Sequence, residues 1–209
     1  MIKWSIYHKK GAVNMGDSLR YYNQHAREFF DSTRDVEFTQ IQDRFLGYLK
    51  PGARILDFGC GSGRDTKYFI SRGYMADAVD GSVELVKIAS EYTGTNVRQM
   101  FFQDLDEREA YEGIWACSSI LHLTFDELAD VFGKMHRALV PCGVLYTSFK
   151  YGTGEGERNG RYFTDMTEEK MEGRLKAVHG FATLEMWVTS DVRPGRDEEQ
   201  WLNMILRKR

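Results

Sequence analysis

Four aspartates stand where they could do chemistry: Asp57, Asp65, Asp80 and Asp104, the first two flanking three glycines. The stretch Arg54-Ile55-Leu56-Asp57-Phe58-Gly59-Cys60-Gly61-Ser62-Gly63-Arg64-Asp65 runs from a short apolar segment through an acid and alternating glycines into a helical pattern. Ala53 to Phe58 reads as a buried parallel strand. Gly59, Gly61 and Gly63 supply a tight turn that lets the backbone approach a ligand closely, and the helix that follows points its N-terminal amides into the same space. Asp57 stands at the strand's carboxyl end, where open α/β sheets bind ligands. The spacing G-x-G-x-G differs from the G-x-G-x-x-G of a dinucleotide fingerprint. Asp57 and Asp65 would repel a pyrophosphate at the helix N-terminus and suit a ligand with an ammonium group. These features disfavour a nicotinamide cofactor.

Asp80 follows the strand Met75 to Val79, about twenty residues past the loop, where a carboxylate accepts from both hydroxyls of a ribose. The plainer role is a turn aspartate capping the next helix. His122 follows a fourth strand, Tyr111 to Ser118, and is the best candidate base because imidazole titrates near neutrality. Its structural alternative is a hydrogen-bonded histidine supporting the cleft loop. Tyr21 and Tyr22 lie on a helix ahead of the first strand and could offer ring faces to a cation, or simply pack. Lys150, Tyr151, Arg161 and Tyr162 follow a fifth strand, Gly143 to Phe149, and could meet a polar or anionic substrate.

Leu56-Asp57-Phe58-Gly59-Cys60-Gly61-Ser62-Gly63 resembles the first motif of class I S-adenosylmethionine-dependent methyltransferases, and the resemblance continues in order from about Leu19 to Arg207. Among small bacterial members it is most similar to the tellurite-resistance-like, generic small-molecule branch. The resemblance implies a doubly wound, Rossmann-like, mostly parallel seven-stranded α/β sheet with helices on both faces and N-terminal covering helices. It implies S-adenosyl-L-methionine as cofactor and methyl transfer to a small-molecule nucleophile. It assigns cofactor contacts to Asp57, Gly59, Cys60, Gly61, Gly63 and Asp65 in the loop, and to Asp80, Gly81 and Ser82 after the second strand. Gln103, Asp104 and Leu105 would serve the adenine, and Ser118 and Tyr22 the methionine end. Pro141-Cys142-Gly143 replaces the family's more usual P-G-G turn. No N-P-P-Y-type tetrad follows the fourth strand, which counts against an amino-group DNA methyltransferase. The rivals are a tRNA- or protein-directed methyltransferase and a non-catalytic, cofactor-binding member of the fold.

The elements that must position these residues are legible from periodicity. Leu19, Tyr22, Ala26, Phe29 and Phe30 form one helical face, and Phe38, Ile41, Phe45, Tyr48 and Leu49 a second, stopped by Pro51-Gly52. The helix after the glycine loop ends at Gly73. Val83 to Tyr92 is helical, and Val97 to Phe102 is the third strand. Thr124-Phe125-Asp126-Glu127 has capping-box spacing before a long amphipathic helix. Lys150 to Arg161 carries four glycines and charges of both signs, and reads as a mobile stretch beside the cleft, a lid or a plain loop. A helix near Glu168 to Val178 and strands Phe181 to Thr189 and Trp201 to Leu206 close the chain, with Arg193 to Glu199 as a polar turn.

The chain's 209 residues suit one domain, expected over 17–209 behind a loose segment over 1–16. Hydrophobic content of 42%, charged content of 28% and a net charge of −3 fit an ordinary globular chain and count against nucleic acid as the main partner. No apolar run reaches membrane-spanning length, and Lys3, His8, Lys9 and Lys10 interrupt any signal-like segment. Cys60, Cys117 and Cys142 lack metal or disulfide spacing and read as reduced thiols. A cytoplasmic monomer or homodimer, without metal or membrane, is expected.

Overall fold

The computed structural model describes residues 12–193 and 195–209. Helices α1 (Ala12–Gln24), α2 (Ala26–Thr33) and α3 (Thr39–Leu46) precede the sheet. Strands β1 (Arg54–Phe58), β2 (Met75–Asp80), β3 (Arg98–Gln99), β4 (Tyr111–Ala116) and β5 (Leu139–Lys150) alternate with α4 (Arg64–Ser71), α5 (Val83–Thr93) and α6 (Phe125–Ala138). A hairpin of β6 (Glu155–Arg158) and β7 (Arg161–Thr164), helix α7 (Glu168–Val178), and strands β8 (Phe181–Ser190) and β9 (Gln200–Lys208) complete the chain. The main sheet has seven strands in the order β3-β2-β1-β4-β5-β9-β8. The first five are parallel, and β9 runs antiparallel to both of its neighbours. The winding direction reverses between β1 and β4, so a crevice opens at their carboxyl ends. This is the doubly wound sheet that the sequence implies.

Period-two alternation explains how one sheet serves two cores. Leu56, Ile114, Leu145 and Leu206 face one side, with Leu128, Phe132 and Met135 of α6 and Met171 of α7 packed over them. Ile55, Trp115, Tyr146 and Ile205 face the other, under Phe45 of α3 and Phe69 of α4. On that second face the Trp115 ring stacks on Tyr146 at 4.0 Å. Helix α6 starts where its sequence says. Thr124 Oγ1 accepts from the Glu127 amide at 3.2 Å, and Glu127 Oε2 accepts from the Thr124 amide at 2.9 Å. Among the described residues no helix is long and apolar enough to cross a membrane.

Four expectations meet a different local structure. Residues 1–11 of the expected loose segment lie outside the described residues, whereas 12–16 belong to α1. The third strand pairs only at Arg98 and Gln99, both exposed, and Phe102–Asp104 forms a 3-10 turn. An edge strand has one neighbour and little to bury, so its apolar run need not extend the ladder. Pro141-Cys142-Gly143 lies inside β5 as a bulge. Tyr111 pairs with Leu139 but Gly113 pairs with Val144, and Cys142 takes φ +63° to absorb the extra residues. The stretch Lys150 to Arg161 contains an ordered hairpin. Asn159 and Gly160 both have positive φ, the two-residue turn that Asn-Gly favours. Arg158 clamps it by forking onto Asp165, one bond being 2.9 Å.

Two glycines test this packing in opposite directions. A Cβ on Gly113 would fall 2.8 Å from Phe45 Cζ and 2.9 Å from Leu49 Cδ1. Gly113→Ala should therefore cost about 1–3 kcal/mol by overpacking. Gly173 sits within α7 with nothing inside 4 Å of an added Cβ. Gly173→Ala should gain roughly 0.5–1 kcal/mol from helix propensity. Urea unfolding of both variants measures each value, and a neutral Gly113→Ala would mean that α3 packs more loosely on β4 than these distances state.

Candidate active site

The crevice between β1 and β4 deepens into a cavity. Its floor is the carboxyl ends of the parallel strands, and its roof is α1, α2, the β6–β7 hairpin and the segment joining β8 to β9. Hydrogen bonds leave the glycine loop little freedom. The amides of Gly59 and Cys60 both donate to the Val79 carbonyl at 2.9 Å, and Gly63 N donates to the Cys60 carbonyl at 2.9 Å. Gly59 has φ +88°, and a Cβ there would lie 2.5 Å from Ser119 Cβ. A side chain at this position is excluded by both backbone and neighbour. Ser119 Oγ donates to the Phe58 carbonyl at 2.7 Å, joining the end of β1 to the loop after β4.

Asp80 closes the loop from the β2 side. Its Oδ2 accepts from the Gly61 amide at 2.9 Å and its Oδ1 from the Ser82 amide at 2.8 Å. Burial pushes its carboxyl upward in pKa, and the backbone amides of Ser82, Gly61 and Gly81 oppose that rise. Each oxygen keeps a further acceptor direction, and Asp80 lines the cavity. Ser82 caps α5 by accepting from Leu85 N at 3.2 Å, and its hydroxyl donates to Asn23 Oδ1 at 2.7 Å, which fastens α1 over the site.

Asp57 and Asp65 behave differently from one another. Asp57 is buried, accepts from the Thr66 hydroxyl and does not line the cavity. Burial raises its carboxyl well above the usual range, and the charge of Asp65 raises it further. Asp65 lines the cavity, but its carboxylate accepts from Arg64 Nε at 2.7 Å, Gln42 Nε2 at 2.6 Å and Trp115 Nε1 at 2.8 Å.

Of the residues singled out from the sequence, Gly59, Cys60, Gly61, Gly81, Ser118, Tyr22, His122, Lys150 and Arg161 also line the cavity. Gly63, Ser82, Gln103, Asp104 and Leu105 do not. Gly63 faces α5, where a Cβ would lie 2.7 Å from Thr93 Cγ2. Asp104 is exposed and Leu105 belongs to the core. In this part of the chain the cavity is lined by Met100, Phe101 and Phe102, with the Phe102 ring edge-to-face on Phe58 at 4.9 Å. Tyr21, Tyr151 and Tyr162 also stand off the wall. Tyr151 donates to Glu168 at 2.9 Å and Tyr162 to Glu155 at 2.8 Å.

His122 has both ring nitrogens engaged. Nδ1 lies 2.6 Å from the Tyr162 carbonyl, which only accepts, so Nδ1 carries the proton. Nε2 therefore accepts, from the Tyr22 hydroxyl at 2.8 Å. Burial lowers the His122 pKa to about 4, with the charges of Arg161 and Lys150 lowering it further and the Tyr162 carbonyl opposing. Burial raises the Tyr22 hydroxyl, so it stays protonated.

Several wall residues lay outside the sequence reading. Arg64 follows the glycines and lines the cavity, its guanidinium 4.4 Å from the Phe38 ring centroid. Asp191, Arg193, Trp201 and Asn203 come from the β8–β9 end. Asp191 is buried and accepts from Arg193 and from Trp201 Nε1 at 3.0 Å. Burial raises its carboxyl, but the Arg193 hydrogen bonds and charge outweigh this, and the net shift is downward. No local signal marks these residues. They reach the crevice because β9 runs antiparallel beside β5, which returns the β8–β9 connection to the carboxyl end of β5.

Residues 55–143 match the family model described as a methyltransferase domain. The candidate methyltransferase YqeM of Bacillus subtilis is 28% identical over 113 residues, covering 49% of this chain and 46% of that protein. The match thus spans about half the length of that relative. The Burkholderia thailandensis 1,6-didemethyltoxoflavin-N1-methyltransferase, solved with 1,6-didemethyltoxoflavin and S-adenosylhomocysteine, superposes with a TM-score of 0.75 at 23% identity, covering 93% of this chain and 88% of that one. The [4+2]-cyclase SpnF superposes at 0.66 with 17% identity, covering 93% of each chain. Likeness at these identities concerns the fold, which hosts more than one reaction. The central segment of the chain thus matches a methyltransferase domain, and its seven-stranded sheet has the fold of the Burkholderia methyltransferase.

Proposed function

We propose that this protein transfers a methyl group from S-adenosylmethionine to a small-molecule nucleophile. The observation that carries this reading is Asp80, a half-buried carboxylate on the cavity wall, tied to the Gly61 amide at 2.9 Å. A nucleoside needs an acceptor for its two ribose hydroxyls next to a loop without side chains, and this pair supplies both. The residues present fit the cofactor. Gly59 and Gly61 would meet its amino-acid end, Asp80 its ribose, and Met100, Phe101 and Phe102 one face of its adenine. The bound cofactor would supply a sulfonium methyl, which needs no activation beyond alignment.

The protein's part is then to hold the acceptor in line and exclude water. A general base is needed only where the acceptor brings a proton. His122 was the sequence candidate. With Nε2 occupied by Tyr22 and a pKa near 4, charging it at pH 7 costs about 4 kcal/mol. That is a poor base and a good anchor: we assign His122 the role of orienting the Tyr22 hydroxyl. Tyr22 turns toward the cavity from α1 with its ring edge-to-face on Phe29 at 5.2 Å.

Calorimetric titration with S-adenosylmethionine, S-adenosylhomocysteine and NADH tests the reading. Micromolar binding of the two sulfur ligands alone is expected, and NADH binding alone would overturn it. Asp80→Ala should weaken both sulfur ligands roughly 10- to 100-fold, matching about 1.5–3 kcal/mol for hydrogen bonds to a charged group.

The His122 environment also predicts a stability profile. In the unfolded chain an imidazole takes up its proton near pH 6.5, whereas in the native state it does so near pH 4. Between those values the unfolded state binds more protons, so stability falls as pH falls. Urea unfolding should show a loss of up to about 3 kcal/mol across that window that is missing from His122→Gln. Parallel profiles for the two proteins would mean that His122 titrates normally.

A further inference from the structure

Five arginine or lysine side chains line the cavity, and four have acidic partners. Arg64 Nε lies 2.7 Å from Asp65, Arg193 pairs with Asp191, Lys150 pairs with Glu199, and Arg196 stands 3.6 Å from Glu199. Among the described residues Arg161 has no carboxylate within ion-pair distance. Its Nε is buried without a hydrogen-bond partner, and its contact to a hydroxyl is long, from a terminal nitrogen to Tyr22 Oη at 3.5 Å.

Aromatic rings hold this guanidinium in place. Its carbon lies 4.4 Å from the Tyr21 ring centroid and 5.2 Å from that of Phe163. The backbone is fixed as well. Arg161 opens β7 directly after the Asn159-Gly160 turn, and the next amide, Tyr162 N, donates to Ser18 Oγ of α1 at 2.9 Å. Phe163 shows how selective the omission is. Three cations surround its ring: Arg158 is matched by Asp165, Lys150 by Glu199, and Arg161 by no acid among the described residues. An unpaired buried donor costs free energy unless something accepts from it. A planar fork on rigid supports suits two oxygens of one anion.

We propose that Arg161 binds an anionic group of the methyl acceptor, a carboxylate or a phosphate, so that the protein's substrates are small acids. This rests on the methyltransferase reading above. It also accords with the walls around it: Asp65 and Asp191 are already paired with Arg64 and Arg193, and Lys150 with Glu199, which leaves Arg161 as the cation open to such a group among the described lining residues. The rival ligand for Arg161 is the cofactor's own carboxylate. The geometry favours the acceptor, because Arg161 stands on the hairpin side of the Tyr22–His122 pair, and the glycine loop is packed against Phe29 and Ser119.

The test uses protein saturated with S-adenosylhomocysteine and titrated with benzoate and, separately, with inorganic phosphate. The proteins are the wild type, Arg161→Gln and Arg161→Lys, each checked for folding by thermal unfolding. The wild type should bind at least one of the two anions at millimolar concentration or below, and the preferred anion distinguishes a carboxylate from a phosphate site. Arg161→Gln should weaken that anion at least tenfold while S-adenosylhomocysteine affinity stays within threefold. If Arg161→Gln does not fold, Arg161→Lys carries the test: it keeps the charge, loses the fork and should bind the anion at least threefold more weakly. Absence of anion binding by the wild type, or equal binding by the variants, overturns the proposal. A tenfold loss of S-adenosylhomocysteine affinity in the variants also overturns it and gives Arg161 to the cofactor. Failure of the wild type to bind S-adenosylhomocysteine removes the methyltransferase reading itself, a result distinguishable from the others before any anion is added.

Discussion

The carboxylate of Asp65 accepts from four donors on three other residues: two nitrogens of Arg64, the amide of Gln42 and the indole of Trp115. These bring together α3, the first turn of α4 and the middle strand β4 beneath the mouth of the cavity. Removing two ions from water is costly, and the attraction between them repays that cost only when geometry is good and the remaining hydrogen-bond positions are filled. Here they are filled. The benefit spreads outward through contacts of ordinary kinds. Trp115 is held in the plane that stacks on Tyr146, and Tyr146 in turn donates to Asn203 of β9 at 2.7 Å. One carboxylate therefore sets side-chain positions across three strands. It also adds to the shift of Asp57, whose carboxyl is driven upward first by burial and then by this neighbouring charge. The two acids flanking the glycines are thus an electrostatic unit, and Asp80 is the acid that the proposed reading assigns to the ligand.

What the sequence made legible follows from the range of the interactions involved. Strands β1, β2 and β4, helix α6 with its Thr124–Glu127 box, and the crevice itself are set by short-range periodicity and by the reversal of winding. So was the placement of Gly59, Gly61 and Asp80 at the crevice, which depends on residues a strand away. The cavity wall after β3 differs by a few residues from the stretch that the sequence singled out. Asp104 and Leu105 were read from a resemblance, while the chain turns into a 3-10 helix at Phe102 and presents Met100, Phe101 and Phe102 instead. The Asn159-Gly160 hairpin was hidden by its glycines and mixed charges, although Asn-Gly is itself a turn signal. Asp191, Arg193 and Asn203 were illegible for a deeper reason: their place at the cavity depends on an antiparallel return beside β5, a fact of topology that no local pattern carries.

The floor and roof of the cavity are built by different physics. The floor is parallel sheet with buried apolar side chains on both faces, stiff because its close-packed neighbours leave no room for adjustment. The roof is attached by single polar contacts: Ser82 to Asn23, Ser18 to Tyr162, and Tyr22 to His122. All three join α1 to other elements, and α1 and the hairpin are coupled through Ser18 and Tyr162. On the proposed reading, the stiff floor with Asp80 and the glycines would recognise the shape of a common cofactor. The roof, with Arg161, would recognise the charge of a particular acceptor. A change of acceptor then requires new residues on a two-stranded hairpin and one helix face, and no change to the sheet. Folds host many reactions by this kind of separation. Here it is expressed in the contrast between a carboxylate with every donor supplied, Asp65, and a guanidinium for which the described residues supply no acid, Arg161.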